Sequence, residues 1–290
     1  MDDQGTLFPG KQFISTVLDA LRTKSTMSGG LAHIYLMRAA MAGALIGIMY
    51  ITYYTVIATF AGIGDGDLAG LGSMVGALVF GFALVFIYFS KSELLTSNMM
   101  IVSVGRYYKK ISAWRGLRVL LLCYLGNILG GLAVALAVLG STLGDGAVGE
   151  QMQHSVDHKL GYLTEGLAGW SDLFVRAVLC NFMINLGMLL VYNGFVKNDG
   201  AKALMMIMSV FVFAFVGFEH SVANTALFLM VGLHDGIDVG LALGNLAVVL
   251  AGNFIGGGLL IGYYYSFAND DRRYLRKQSA RAGAEADTEA

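Results

Sequence analysis

Proline is nearly absent from this chain of 290 residues, since Pro9 is the only one and it precedes every long apolar run. Proline is the commonest cause of a sharp break in a helix. Any helix break further along the chain must therefore come from Gly, Ser or Asn.

Cysteine and charge are also scarce. Cys123 and Cys180 both lie in apolar runs, which excludes a disulfide framework and a paired-cysteine metal knuckle. Charged residues make up 13% of the sequence, against about 25% in soluble proteins. The formal net charge of -1 gives no basic field for nucleic acid. With 56% hydrophobic residues, the composition predicts a membrane protein rather than a soluble enzyme.

Apolar runs long enough to cross a bilayer cover residues 34–60, 70–104, 117–140, 172–195, 203–232 and 240–267. The second and fifth runs are too long for simple helices, and polar residues interrupt each of them, at 91–93 and at 219–221. We therefore predict an all-α membrane protein with six transmembrane helices, of which the second and fifth are broken.

Lys and Arg are distributed unevenly among the loops. Most of them lie before the first run, in the second and fourth loops and in the tail, whereas the other loops are acidic and the third has Lys159 as its only basic residue. The positive-inside rule then places both termini in the cytoplasm and the protein in the cell membrane. Residues 1–33 and 269–290 are predicted to be cytoplasmic segments that flank a transmembrane domain of residues 34–268. No removable signal peptide is expected at the N-terminus.

Two polar patterns occur twice at one spacing. The pattern E-x-x-x-x-N at 93–98 recurs at 219–224, and G-N-x-x-G at 126–130 recurs at 252–256, so both are offset by 126 residues. This indicates a duplication. Because each half has three spans, an odd number, the second half is predicted to enter the bilayer upside down, as an inverted repeat. The two repeats cover about 34–140 and 172–267.

His220 lies inside the fifth run, where an ionisable side chain is costly unless it faces a partner or a polar cavity. It is either a functional residue or a histidine that only bonds the helix break. Imidazole exchanges a proton near neutral pH, and the N-terminus of a half-helix offers a positive dipole end to an anion. These features predict an anion-attracting, proton-active centre. Its candidate neutral donors are Thr96, Asn98, Ser221 and Asn224.

Other polar residues have both a structural and a functional interpretation. Asn127 and Asn253 are either interhelical hydrogen-bond partners or pore groups, and the glycines beside them are expected to let helices approach closely. Lys159 is either a solvated loop lysine or a cation that concentrates anions at an outer vestibule. His154 and His158 have the i, i+4 spacing of two metal ligands, but no third ligand lies nearby, so no metal site is predicted.

Five polar segments resemble, in their order and spacing, those of the formate/nitrite transporter family. They are 92–98, 156–159, 180–181, 217–224 and 252–258. The likeness extends from about residue 34 to 267, with 218–224 as its most specific part. The resemblance implies an aquaporin-like six-helix protomer and a homopentamer with a separate pore in each protomer. It also implies transport of small monovalent anions of weak acids, and no cofactor is expected.

Residue roles follow from the resemblance position by position. His220 matches the central histidine, Thr96 the threonine of the broken second helix and Asn181 the asparagine of helix four. Lys159 matches the vestibule lysine. Glu219 and Asn224, which belong to the repeated E-x-x-x-x-N pattern, are placed in the same substrate and proton pathway, and the implied apolar constriction consists of Leu94, Leu95, Ile184 and Phe213.

Two departures from the family pattern leave the shape of the constriction open. Lys91 stands where a small uncharged residue is expected, and the segment 61–72 lacks an expected proline. Substrate size is therefore not fixed by the resemblance.

The predicted function is proton-linked passage of a short monocarboxylate such as formate, lactate or acetate. A carboxylate pays a large desolvation penalty in an apolar constriction, and the neutral acid pays far less. Nitrite or hydrosulfide transport is an alternative within the family. A neutral-solute channel of aquaporin type is another, although its half-helices usually carry Asn-Pro-Ala boxes. A membrane enzyme would need a nucleophile or metal cluster, and the sequence indicates neither. The expected partners are the anion, the proton, the lipid bilayer and further copies of the chain, without nucleic acid.

Overall fold

The structure is a computed structural model that describes residues 7–272, 274–276 and 278. Within these residues the chain forms helices and no strand. The α-helices are α1 Lys11–Gly30, α2 Ala32–Ala61, α3 Ala69–Phe80, α4 Phe82–Phe89, α5 Leu95–Tyr107, α6 Ala113–Leu139, α7 Gly146–Gly161, α8 Gly166–Tyr192, α9 Asp199–Val216, α10 Ser221–His234, α11 Val239–Asn253 and α12 Tyr264–Ala268. A 3₁₀ turn at Gly64–Gly66 and a π-helical segment at Phe254–Tyr263 complete the order.

Among the described residues, six helical stretches are long and apolar enough to cross a membrane. They are Ala32–Ala61, Ala69–Phe89, Ala113–Leu139, Gly166–Tyr192, Asp199–Val216 and Val239–Ala268. Each coincides with one of the six apolar runs of the sequence. The predicted all-α membrane fold with six spans is therefore confirmed.

The second and fifth spans are broken where polar residues interrupt them. In the second span α4 ends at Phe89 and α5 begins six residues later, and in the fifth span α9 ends at Val216 and α10 begins at Ser221. Without proline, the chain turns at residues with positive φ, Gly217 at +80° and Lys91 at +57°. Glycine adopts this left-handed conformation readily, whereas lysine does so only at a steric cost.

Glycines bring neighbouring helices into backbone contact. A Cβ atom at Gly130 would lie 1.8 Å from the carbonyl oxygen of Ala40, so α6 and α2 touch there. At Gly256 it would lie 2.0 Å from the carbonyl oxygen of Val178, which joins the π-helical segment to α8 in the same way. These contacts support the structural interpretation of the two G-N-x-x-G patterns. The inverted orientation of the two halves stays a prediction.

The two ends of the described chain meet on one face. The amide of Gly10 donates to Oδ1 of Asn269 at 2.7 Å, and Lys11 pairs with Asp271 at 2.6 Å. The N-terminal segment forms a helix that packs against the rest of the fold, since Phe13 of α1 is fully buried. We call this side of the molecule the tail face. Most of the predicted tail, 269–290, lies outside the described residues, and the assignment of either end to the cytoplasm stays a prediction.

The third loop, between the third and fourth spans, contains the helix α7. The interpretation of Lys159 as a solvated loop lysine is wrong, because Lys159 lies near the end of this helix and is 7% exposed. Its burial has a physical reason, since a carboxylate from the fifth span lies within hydrogen-bonding distance. We call the side of the molecule that carries α7 the loop face.

Candidate functional site

Two half-helices begin next to each other inside the fold. The residues that precede them, Leu94 before α5 and His220 before α10, are in an extended conformation. Thr96 lies in the first turn of α5, and its Oγ1 is 3.1 Å from Nε2 of His220. Both side chains are buried. The breaks therefore bring together two pathway residues predicted from sequence patterns 124 positions apart.

His220 also caps its own helix. Its Nδ1 accepts a hydrogen bond from the amide of Ala223 at 3.0 Å. A ring nitrogen that accepts an amide N–H carries no proton, so the neutral ring keeps its proton on Nε2, the nitrogen beside Thr96. The ring of Phe213 stacks on the imidazole with 5.8 Å between the centroids. His220 thus presents one N–H donor toward Thr96.

The first break is held by Asn127 from α6. Its Oδ1 accepts from the amide of Leu95 at 3.0 Å, and its Nδ2 donates to the carbonyls of Glu93 at 2.9 Å and Ala39 at 2.8 Å. Buried backbone groups need partners inside a membrane. One side chain supplies them to the first residue of the half-helix and to Glu93, two positions before it.

The second break is held in the same way by Asn253. Its Oδ1 accepts from the amide of Ser221 at 2.9 Å, and its Nδ2 donates to the carbonyls of Glu219 at 2.9 Å and Ala177 at 2.8 Å. These bonds support the interpretation of Asn127 and Asn253 as interhelical partners rather than pore groups.

Glu219 lies just before His220 and forms a buried ion pair. Both its carboxylate oxygens accept from Nζ of Lys159 at 2.8 Å, and Asn224 donates to the same carboxylate at 2.6 Å. The carbonyl of Lys159 in turn accepts from Asn245. Three predicted pathway residues are therefore in contact, and the lysine's charge is balanced by a carboxylate.

A corresponding group exists at the first break. The carboxylate of Glu93 pairs with Lys24 of α1 and accepts from Asn98 at 3.1 Å. The sequence interpretation used Glu93 as evidence of duplication, and it named Asn98 as a candidate neutral donor without connecting it to Glu93. Glu93 and Asn98 have the same spacing as Glu219 and Asn224, and this equal spacing could have indicated a second group of the same kind. No sequence pattern connects Lys24 to them, because it lies 69 residues away from Glu93.

Asn181 contacts the broken second helix rather than His220. Its Nδ2 donates to the carbonyls of Thr96 at 3.2 Å and Asn253 at 2.7 Å, and its Oδ1 accepts from Asn185 at 2.7 Å. Asn185 also donates to the Thr96 carbonyl. The two asparagines fix the backbone that carries the Thr96 hydroxyl. Sequence reasoning missed Asn185, although its i, i+4 spacing from Asn181 in an apolar span was a usable signal.

The predicted constriction residues share one buried apolar cluster, which includes Leu94, Leu95, Ile184 and Phe213. Phe80, which sequence reasoning missed, belongs to the same cluster and packs edge-on against Phe213 with 6.1 Å between the centroids. Together with the stacking of Phe213 on His220, this encloses the imidazole in apolar surroundings.

Two cavities approach the breaks. The tail-side vestibule has a volume of about 680 Å³, and its polar lining includes Lys24, Arg38, Lys91, Glu93, Lys197 and Lys202. The loop-side vestibule has a volume of about 250 Å³, and its lining includes Lys159, Arg176, Phe213, Gly217, Glu219 and His220. Leu94 lines the first cavity. The buried cluster therefore lies between a tail-side and a loop-side approach.

The two histidines with metal-like spacing do not converge on one point. His158 bonds the hydroxyl of Tyr162 at 3.0 Å, while His154 lines a surface cavity with Asp157. Among the described residues, no group of three His, Cys, Asp or Glu side chains is placed to hold a metal ion.

Comparison with known proteins agrees with this architecture. Residues 11–267 match the model of the family described as formate/nitrite transporter. An uncharacterized transporter of Bacillus subtilis, YwcJ, is 31% identical over 82% of this chain and 90% of its own length. The formate channel FocA of Haemophilus influenzae is 30% identical over 83% and 86%, and the nitrite transporter NirC of Salmonella typhimurium is 30% identical over 81% and 83%.

Solved structures show the same fold. A chain described as an FNT family ion channel has a TM-score of 0.75 and 25% identity, with 89% of this chain and 99% of that chain covered. A pentameric formate channel with formate bound has a TM-score of 0.65 and 22% identity, with 81% and 96% covered.

Proposed function

Because the chain belongs to the formate/nitrite transporter family and is a channel for small anions rather than an enzyme, we propose that it conducts short monocarboxylates together with a proton. Formate, lactate and acetate are the proposed substrates. The observation that carries the proposal is the buried contact between His220 Nε2 and Thr96 Oγ1, at 3.1 Å, between the two vestibules.

The apolar surroundings of this contact demand that the anion be neutralised. A carboxylate that leaves water for a cluster containing Leu94 and Phe213 loses its hydration, whereas the neutral acid loses much less. Loss of water also raises the proton affinity of a carboxylate. The substrate therefore gains a proton where it passes this cluster.

His220 supplies that proton by way of a short-lived imidazolium ion. In the resting ring Nδ1 accepts a hydrogen bond from the amide of Ala223. A second proton on Nδ1 would point at that amide N–H, and the hydrogen bond that caps the helix would break. A carboxylate beside Nε2 stabilises the charged ring and offsets this cost. The second proton enters from water in the loop-side vestibule, which His220 lines. The ring then gives its Nε2 proton to the carboxylate, and the neutral acid moves on. The proton left on Nδ1 returns to Nε2 by exchange with the same water, which restores the hydrogen bond from Ala223. The hydroxyl of Thr96 orients both groups.

The pair of Lys159 and Glu219 shapes the approach from the loop face. Lys159 is held by both oxygens of Glu219 and lines the same cavity as His220. A paired lysine attracts anions less strongly than a free one, but its ammonium and the guanidinium of Arg176 are the positive groups that line this cavity. Asn224 donates to the Glu219 carboxylate and holds it against Lys159.

Assembly and orientation belong to the same proposal. The spans expose large apolar side chains, including Phe86 and Leu121, and we propose that they pack against lipid and against other copies in a homopentamer with one pore per protomer. Mass measurement of the detergent-solubilised protein tests this number. We propose the cell membrane as the location, with both termini cytoplasmic. A cysteine in place of the exposed Thr26 is then expected to resist an impermeant thiol reagent in intact cells.

Uptake into proteoliposomes tests the function. Labelled formate, lactate, acetate, nitrite, hydrosulfide and glycerol are compared with and without an inward proton gradient. Accumulation of the monocarboxylates that follows the proton gradient supports the proposal. Selective flux of nitrite or hydrosulfide would favour the other substrates of the family, and gradient-independent flux of glycerol would favour a neutral-solute channel.

A further inference from the structure

The tail-side vestibule is far more basic than the loop-side one. Of the described residues that line it, five are Lys or Arg and Glu93 is the one carboxylate. In the loop-side vestibule, Lys159 and Arg176 are accompanied by Glu219. The tail-side cavity is also the larger, at about 680 Å³ against about 250 Å³.

Three of these cations have no acidic partner in the part of the chain that the structure describes. Lys24 pairs with Glu93, and Lys202 pairs with Asp199. Among the described residues, no carboxylate pairs with Arg38, Lys91 or Lys197. The three are solvent-exposed residues at the mouth of the cavity. Their charges are therefore available to a ligand from the tail face.

Lys91 occupies a position that its backbone geometry disfavours. Its φ is +57°, and the residue at the equivalent place of the second break, 126 positions later, is Gly217 with a φ of +80°. Glycine adopts this conformation without strain, whereas lysine does so at a cost in backbone energy. A non-glycine residue kept in a strained backbone conformation often has a functional role for its side chain. Nζ of Lys91 lies 5.0 Å from the centroid of the Tyr88 ring, which also lines the cavity.

We propose that the tail-side vestibule is a second anion-binding site, separate from His220, in which Lys91, Lys197 and Arg38 bind a multivalent carboxylate. Several unpaired cations around one large cavity match several negative charges better than one. Such an anion is too highly charged to be neutralised by a single proton, so it occupies the vestibule without passing the apolar cluster. Occupancy obstructs the entry of monocarboxylates from the tail face.

Citrate is the probe, and binding is measured without reference to transport. Titration calorimetry on the detergent-solubilised oligomer at low ionic strength is expected to show citrate binding to the unmodified protein. Lys91→Asn should weaken binding roughly fivefold, as removal of one exposed charge does, and adding Lys197→Asn should weaken it by roughly 25-fold in total. Asparagine tolerates the left-handed conformation, so the backbone turn is kept.

Lys109→Asn is the matched control. Lys109 is an exposed lysine with a φ of +56°, and it lies outside the lining of the vestibule. Its replacement should leave citrate affinity unchanged. Absence of citrate binding to the unmodified protein would overturn the proposal, and so would equal weakening in Lys109→Asn and Lys91→Asn, because the effect would then be one of overall charge.

The obstruction is tested separately and rests on the proposed transport function. Citrate is placed on either side of proteoliposomes loaded for formate flux, and we expect inhibition from the tail face that Lys91→Asn relieves. Citrate binding without inhibition would overturn the obstruction. If the unmodified protein binds citrate but conducts no monocarboxylate, the binding site stands and the transport proposal fails.

Discussion

The two helix breaks are held by the same kinds of hydrogen bond and ion pair, but they differ in the residue that precedes the half-helix. Each is held by one asparagine and preceded by a buried glutamate with a lysine partner. At the residue before the half-helix, however, the first break has Leu94 and the second has His220, and two positions later they have Thr96 and Val222. The same frame therefore occurs at both breaks, and each break contributes one member of the His220–Thr96 contact.

The largest effect is expected at the buried ion pair, where the two breaks can be compared directly. Lys159→Met leaves Glu219 buried without a counter-charge, which should cost about 3–5 kcal/mol of stability. Lys24→Met should cost less, because that pair is more exposed, with side-chain exposures of 13% for Lys24 against 9% for Lys159. Thermal unfolding of the purified proteins measures both.

The double variant Lys159→Met with Glu219→Gln is the control for this prediction. It removes the unpaired charge and should recover most of the stability, while the attraction of anions to the loop-side vestibule remains weakened. Equal destabilisation by the single and double variants would show that the packing of the lysine stem matters more than its charge.

A smaller and symmetric effect is expected at the two asparagines. Asn127→Ala and Asn253→Ala each remove three buried hydrogen bonds to backbone groups, and the expected loss is about 2–3 kcal/mol for either variant. Thermal unfolding again provides the measurement. A large loss in one variant with none in the other would contradict the equivalence of the two breaks.

The smallest effect on stability is expected at Thr96, where the change falls on transport. Thr96→Val keeps the shape and removes the hydroxyl beside His220, so proton-linked uptake should slow about tenfold through loss of one hydrogen bond to a charged intermediate. Thr225→Val is the comparison, since that buried hydroxyl bonds the carbonyl of Ser221 in its own helix. Equal slowing in both variants would remove the special role of Thr96.

Much of this architecture could be predicted from the sequence because membrane helices have strong signals. Apolar runs of about twenty residues fix the spans, and polar interruptions within them mark the breaks. His220 could be identified for the same reason, since an ionisable residue in an apolar run is exceptional. The repeat of 126 residues predicted which asparagines are equivalent, although not what they bond.

The remaining features depend on distances that no sequence pattern encodes. Lys159 stands in a polar loop sequence, and its burial follows from the position of Glu219 at the break of the fifth span. Lys24 is one of two lysines in the N-terminal segment 1–33, and only the packing of α1 against the first break selects it. Lys91 was recognised as unusual, but its left-handed conformation became visible only in the structure.

Replacement of His220 by Asn tests the central claim most directly. Asparagine is a preferred helix cap and can accept from the amide of Ala223 as the imidazole does. Its amide can still donate to Thr96, but it cannot take up a proton near neutral pH. The variant therefore separates support of the break from proton transfer.

The measurement is uptake of labelled formate by proteoliposomes with and without an inward proton gradient, with assembly of the variant checked in the same preparation. We expect the His220→Asn protein to assemble normally and to lose accumulation driven by the proton gradient, with at most a passive leak remaining. Undiminished gradient-driven accumulation would contradict the account, since His220 would then serve only as a helix cap.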